Sequence, residues 1–218
     1  MINILKPLPN SISIAVSGGP DSMAVLDFLN KGKRTIHVMH YNHGTEHANE
    51  YMNVVQTYCE KNCIDYDIET LCESIPDRRS AEDFWREKRY EFFSRVAKGP
   101  VVTAHHLDDA VETWMFTAVN GIPRLIPQAR SIKGTNLIVI RPFLTTRKKT
   151  LVSWCDRKNV PYVIDPTNKT GTSARAKMRR NLIPAVLEIN PGIHKVIKKK
   201  ILERSKQQLL CPANEFYD

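Results

Sequence analysis

The six residues Ser17-Gly18-Gly19-Pro20-Asp21-Ser22 constrain this chain more than any other stretch. They follow Ser11-Ile-Ser-Ile-Ala-Val16, whose alternation predicts a strand, and precede Met23-Ala-Val-Leu-Asp-Phe-Leu29, which predicts an apolar helix. A glycine pair at such a junction lets the backbone turn sharply and approach a ligand. The first amides of the helix lack intrahelical acceptors and lie at the positive end of its dipole, so they attract phosphate. Ser17 and Ser22 add hydroxyl donors. Asp21 is the odd member, because a carboxylate repels a bare polyphosphate unless a divalent cation bridges the two. The loop has neither the lysine of G-x-x-x-x-G-K-[ST] nor the spacing of G-x-G-x-x-G. On spacing alone, an ordinary serine-capped turn is the other reading.

Downstream, residues 35–40, 65–70, 101–104 and 137–140 read as strands. Residues 46–62, 107–120 and 146–158 read as helices, and Ser80 is a good N-cap for another that runs through Ala97. Strands alternating with helices predict an α/β, Rossmann-like, doubly wound, mostly parallel sheet covered on both faces. Ligands of such sheets sit at the carboxyl ends of the strands. The Ser17 loop, the turn from His40 to Gly44 and His105-His106 all fall on that edge. Past residue 164 the character changes. Asp165-Pro-Thr-Asn168 predicts a turn, and a basic segment follows over 175–187. An Asn190-Pro-Gly192 break then leads into a Lys-rich final helix. The expected division is an α/β domain over 1–170 and a short basic helical extension over 171–218.

The chain of 218 residues is long enough to bury a real core. No apolar run reaches membrane-spanning length, and the N-terminus lacks a signal-peptide layout, so no membrane association and a cytoplasmic location are expected. The five cysteines are odd in number and follow no framework spacing, which predicts reduced thiols. Cys59-x-x-x-Cys63 is half a metal site without a second half, and plain helix residues are the expectation there. The net charge is +9. It concentrates over 171–218, where ten Lys/Arg face four Asp/Glu, and over 141–158, where six face one. Clusters of one sign suit a polyanion, and a solvated helix face is the alternative.

Two further constellations carry chemistry. His105-His106-Leu107-Asp108-Asp109-Ala-Val-Glu112-Thr113 starts just past a strand. Asp109 and Glu112 share one helix face, while Asp108 and Asp109 also suit a helix N-terminus. Paired acids can hold a metal, accept a proton or fix an amine. In Ala81-Glu82-Asp83-Phe84-Trp85-Arg86-Glu87-Lys88-Arg89-Tyr90, Glu82, Arg86 and Arg89 form one helical stripe. It is either an exposed Glu–Arg pair or an arginine aimed at phosphate.

Together these motifs resemble the tRNA(Ile)-lysidine synthetases, members of the PP-loop ATP pyrophosphatases. Ser17-Gly-Gly-Pro-Asp-Ser22 resembles the family's ATP loop. Ala104 to Thr113 resembles A-H-H-x-D-D-x-x-E-T, and the Ala81–Tyr90 segment resembles A-E-x-x-A-R-x-x-R-Y with Trp85 at a small-residue position. His37-Val-Met-His40-x-x-His43-Gly44, Arg141-Pro-Phe-Leu144, Asp165-Pro-Thr-Asn168 and the run Arg175, Arg179, Pro184 resemble further family motifs. The resemblance implies a PP-loop catalytic domain followed by a tRNA-contacting extension, a short form without the further C-terminal domains of many members. It implies a two-step reaction: ATP adenylates the C2 oxygen of the wobble cytidine in the anticodon loop of an isoleucine tRNA, and free L-lysine then displaces AMP through its ε-amine. ATP and Mg²⁺ are the implied cofactors. Carried over residue by residue, Ser17, Gly18, Gly19, Pro20, Asp21, Ser22, His106 and Arg175 would bind the nucleotide, and Asp21 and Asp109 would meet the metal. Asp21, Arg86, Asp109 and Glu112 would be catalytic, with Asp109 at the target base and Glu112 at the lysine amine. A tRNA cytidine thiolase shares the loop and His106-x-x-Asp109, but its C-x-x-C pairs are missing here. A tRNA-binding module with an inactive ATP fold is the non-enzymatic alternative.

Overall fold

The computed structural model describes residues 1–164 and 173–210, the side chains of 208–210 excepted. Its centre is a six-stranded sheet in the order β3-β2-β1-β4-β6-β5. The strands are β1 (Ser11–Ala15), β2 (Thr35–Asn42), β3 (Asp65–Thr70), β4 (Val101–Val102), β5 (Ala129–Ser131) and β6 (Ile138–Ile140). All neighbours are parallel except β5 and β6. Helices α1 (Pro20–Asn30), α2 (Ala48–Lys61), α3 (Ala81–Val96), α4 (Leu107–Val119) and α5 (Lys148–Lys158) alternate with the strands. The expected doubly wound, mostly parallel layer is therefore present.

The sheet's two faces follow the period-two alternation of its strands. Ile12, Ile14, Ile36 and Val38 join Val25, Leu26, Val55 and Cys155 in a core under α1, α2 and α5. Met39, Tyr41, Val101 and Val139 meet Phe92 and Phe93 of α3 on the opposite face. Phe28 of α1 sits edge-on to Trp154 of α5, with centroids 5.4 Å apart. Both helices share Asp27, which accepts from Trp154 Nε1 at 2.7 Å, Tyr58 Oη at 2.8 Å and Lys31 Nζ.

Three sequence expectations need correction. The edge strand β5 was not anticipated: it has three residues, no alternation, and pairs only with β6. The strand expected over 101–104 stops at Val102, where Thr103 and His105 turn to bond one another. Cys63 lies beyond the end of α2, in a left-handed turn with φ +53°. The motif Asp165-Pro-Thr-Asn168 lies outside the described residues.

The basic C-terminal segment is helical: α6 (Ala174–Lys177), a wide π-type turn (Met178–Leu182), α7 (Ile183–Ile189) and α8 (Ile193–Leu210). Ile193, Ile197 and Ile201 repeat every four residues along α8 and pack with Leu107, Ala110 and Val111 of α4. Lys195, Lys199 and Lys206 stay on the exposed side. One face of the Lys-rich helix thus anchors it to the α/β layer while the other presents positive charge.

Candidate active site at the sheet's switch point

The strand order reverses between β1 and β4, and the carboxyl ends of both open into one cleft, as in other sheets of this class. From β1 the chain turns at Gly18, whose φ is +85°. A Cβ there would lie 2.8 Å from the Tyr51 carbonyl oxygen, so α2 and the loop approach closely enough to require glycine. Pro20 occupies the first turn of α1, and the leading amides of that helix have no side-chain cap among the described residues. Ser22 Oγ donates to the Gly19 carbonyl at 3.0 Å and accepts the Ser17 N–H at 3.1 Å. Ser17 Oγ lies 3.1 Å from Ser22 Oγ. The Val163 N–H donates to the Gly18 carbonyl at 3.0 Å, fastening the chain after α5 onto the loop.

Asp21 stands in the first turn of α1. Its Oδ2 accepts from Lys148 Nζ at 2.9 Å and lies 3.5 Å from His106 Nε2. Its Oδ1 is buried without a partner among the described residues. Burial raises the Asp21 carboxyl, but the His106 contact and Lys148 outweigh it and hold the group below its ordinary value. Asp21 is therefore ionised, with one oxygen still to satisfy.

His106 caps α4. Its Nδ1 accepts the Asp109 N–H at 3.2 Å while Asp109 Oδ2 accepts the His106 N–H at 2.9 Å, a reciprocal cap. With Nδ1 used as acceptor, the ring proton sits on Nε2, toward Asp21. Burial lowers the imidazole, yet Asp21, Asp109 and Asp108 together raise it above its ordinary value. The three predicted residues Asp21, His106 and Asp109 are thus brought together in one chain of contacts around the buried His106.

The neighbouring acids separate in role. Asp108 Oδ2 lies 4.0 Å from His106 Nδ1, but its bonds run elsewhere: it accepts the Lys148 N–H at 2.7 Å, grips Arg147 and lies 3.2 Å from His194 of α8. It caps α5 and joins α8 to the layer. Glu112 Oε1 accepts from Arg179 Nε at 2.6 Å, and its Oε2 is buried without a partner among the described residues.

Two chambers meet here. The first, about 460 Å³, is lined by Ser17, Ser22, His40, Tyr51, Tyr90 and Asp109 among others. The second, about 550 Å³, carries Arg86, Arg89, Arg124, Arg130, Arg141 and Arg175. His43, Arg89 and His105 belong to both walls. Arg86 and Arg175 line the second chamber and not the first. Burial and nearby arginines push His105 down to about 3. The Arg175 guanidinium lies 5.7 Å from the Phe116 ring centroid. Sequence reasoning missed Lys148, Arg124 and Arg130, which reach the site only through the packing of α5 and the β5 edge. Lys148 sat inside the basic run 141–158, a signal for charge but not for position.

Among the described residues, no group of three or more His, Cys, Asp or Glu side chains is arranged to hold a metal unaided. The orphaned, ionised Oδ1 of Asp21 nevertheless fits a hard divalent cation whose remaining ligands are phosphate oxygens and water. Asp109 Oδ2 is already engaged by the His106 N–H.

A PP-loop domain model matches residues 3–186. The bifunctional protein TilS/HprT of Listeria monocytogenes serotype 4b is 32% identical over 203 residues, covering 85% of this chain and 31% of that protein. The tRNA(Ile)-lysidine synthase of Staphylococcus aureus strain COL is 34% identical over 192 residues, covering 82% of this chain and 44% of that protein. This chain spans less than half the length of either relative. The U34-tRNA thiolase NcsA from Methanococcus maripaludis, solved with its 4Fe-4S cluster, shares the fold with a TM-score of 0.68 at 17% identity, over 93% of this chain and 74% of that one. With the domain model spanning most of its length and the glycine turn, helix N-terminus and Asp21 in place, the chain belongs to the PP-loop domain family.

Proposed function

We propose that this chain is a tRNA(Ile)-lysidine synthetase-type ligase, which activates the wobble cytidine of an isoleucine tRNA with ATP and joins free lysine to it. The observation that carries the reading is Glu112, a carboxylate 13% exposed whose Oε2 has no partner among the described residues, one helical turn from the Asp21–His106–Asp109 chain. A buried anionic oxygen beside an activated base suits an incoming ammonium group. The relatives named as lysidine synthases support the same reading.

In this reading the first chamber takes ATP, with the Ser17 loop and the α1 amides on its phosphates. Asp21 Oδ1 holds Mg²⁺, which supplies charge neutralisation when bound. Lys148 adds a second positive charge beside Asp21. The second chamber takes the anticodon loop, its arginines meeting phosphates, and the exposed lysines of α8 extend that surface. Asp109, held rigid by the His106 cap, faces the target base, and Glu112 positions the lysine amine while it loses its proton. Arg86 and Arg175 offset negative charge on the RNA side of the reacting phosphate.

The thiolase reading has weaker support. Cys59 and Cys155 are buried, and burial pushes both thiols up to about 12. Cys63 and Cys72 are exposed and belong to no metal-holding group among the described residues. The test is pyrophosphate release from ATP by the purified chain. Release that requires tRNA supports the reading, and release indifferent to tRNA removes it.

A further inference from the structure

Trp85 has no part in the chemistry above, yet it stands on the wall of the second chamber. It is half-buried on α3, beside Arg86 and one turn before Arg89. Its ring lies against His43, centroids 5.4 Å apart and planes at 35°. His43 in turn meets Tyr41 edge-on at 5.2 Å. Burial, Arg89 and His40 bring His43 down to about 4, so the imidazole beside Trp85 is neutral at physiological pH. Its Nδ1 is buried and without a partner among the described residues. The result is an uncharged aromatic island in a wall that six arginines make positive.

That pattern separates the two halves of a nucleotide. Guanidinium groups bind phosphates, while an aromatic plane binds the π-face of an unstacked base. The adenine of ATP does not need Trp85, because the first chamber has its own rings, Tyr41, Tyr90 and Phe93, and Trp85 does not line it. We propose that Trp85 is a stacking platform for an extruded RNA base adjacent to the modified one. The inference rests on the RNA-modifying reading and adds a specific contact to it. A base extruded from the second chamber toward Asp109 on the first chamber's wall, and a neighbour left on Trp85 in the second, would lie either side of the wall formed by His43, Arg89 and His105. Trp85 is then a positioning residue that holds the anticodon loop open.

The experiment uses an anticodon stem–loop RNA with 2-aminopurine placed in turn on each side of the wobble cytidine. Wild type, Trp85→Ala, Trp85→Leu and Trp85→Phe are compared by titration. Wild type is expected to quench the probe at one of the two positions, and Trp85→Phe to retain most of the quench and affinity. Trp85→Ala and Trp85→Leu should bind the RNA about 10-fold more weakly or worse, the scale of one base–aromatic stack. They should lose the quench and keep the affinity for ATP. Trp85→Leu preserves apolar bulk, so its comparison with Trp85→Phe separates stacking from packing even where the alanine variant folds poorly. Equal RNA affinity in Trp85→Leu and wild type would overturn the inference while leaving the RNA reading intact. A loss of ATP affinity instead would also overturn it, by assigning Trp85 to the adenine. If wild type itself binds no stem–loop, the RNA reading fails and this inference with it.

Discussion

Lys148 Nζ donates to Asp21 Oδ2 at 2.9 Å, tying the N-terminus of α5 to the first turn of α1 across 127 residues of sequence. Asp108 sets the tie from behind by accepting the Lys148 backbone N–H at 2.7 Å. Asp21 therefore has one paired oxygen and one buried oxygen without a partner among the described residues.

Asp21→Ala should abolish tRNA-dependent pyrophosphate release while circular dichroism and thermal unfolding show an intact fold. Lys148→Ala should be milder, weakening ATP by about 3- to 10-fold, because its partly exposed ammonium group is solvent-screened. Calorimetric titration with Mg-ATP reads both. Near-normal turnover in a folded Asp21→Ala protein would place the cation elsewhere.

Gly18→Ala should cost about 1–3 kcal/mol of stability, since the new Cβ combines a left-handed φ with a 2.8 Å approach to the Tyr51 carbonyl. Gly134 has a similar φ of +79° and open space around it, so Gly134→Ala isolates the backbone part and should cost less. Urea unfolding of the pair makes the comparison. Equal losses would mean that α2 yields to the side chain.

Legibility in the sequence tracked locality. The Ser17–Ser22 loop could be read because strand, turn and helix N-terminus are contiguous, and each has its own residue signature. The His106 to Glu112 acids could be read for the same reason, although the sequence did not separate their roles. Asp108 and Asp109 are adjacent, yet one caps α5 and the other reciprocates the His106 cap. That division depends on where α5 and α8 pack. The arginine chamber was legible in part, as the Arg86 and Arg89 stripe together with Arg141 and Arg175 of two family motifs, whereas Arg124 and Arg130 come from the segment before β6 that carried no motif. Strand β5 carries no period of its own, and its pairing with β6 decides its structure.

Stability should fall on acidification between about pH 6.5 and 4. His43 is held down to about 4 and His105 to about 3, burial being the main cause in each. Below pH 6.5 the unfolded imidazoles take up protons that the folded ones refuse, so the linkage favours unfolding as pH drops toward the folded values. Above pH 6.5 both states are neutral and the contribution is constant. His106 is raised, so its stabilising contribution is already complete below pH 6.5 and is lost only as pH rises above that value, outside this window. Thermal midpoints across this range should decline less in a His43→Asn, His105→Asn double variant than in wild type. An unchanged slope would show that carboxylates, not these histidines, dominate.

Glu112→Gln should leave much of the tRNA-dependent pyrophosphate release in place and raise the KM for lysine by 10-fold or more, as expected for loss of a buried charge-assisted contact. Adenylated tRNA should accumulate. Glu112 currently pairs with Arg179, so Arg179→Ala should disturb the same step. Rapid-quench separation of the two half-reactions distinguishes this from a role at the phosphates, where pyrophosphate release itself would stop.

The most direct test incubates the purified chain with ATP, Mg²⁺, isotope-labelled lysine and isoleucine tRNA bearing a wobble cytidine, then digests the RNA and identifies its nucleosides by mass spectrometry. The expected result is a labelled lysidine nucleoside at the wobble position, formed only with ATP and absent with Asp21→Ala. A thiolated cytidine in the presence of a sulfur donor, or unmodified cytidine alongside intact binding of both ATP and tRNA, would contradict the account.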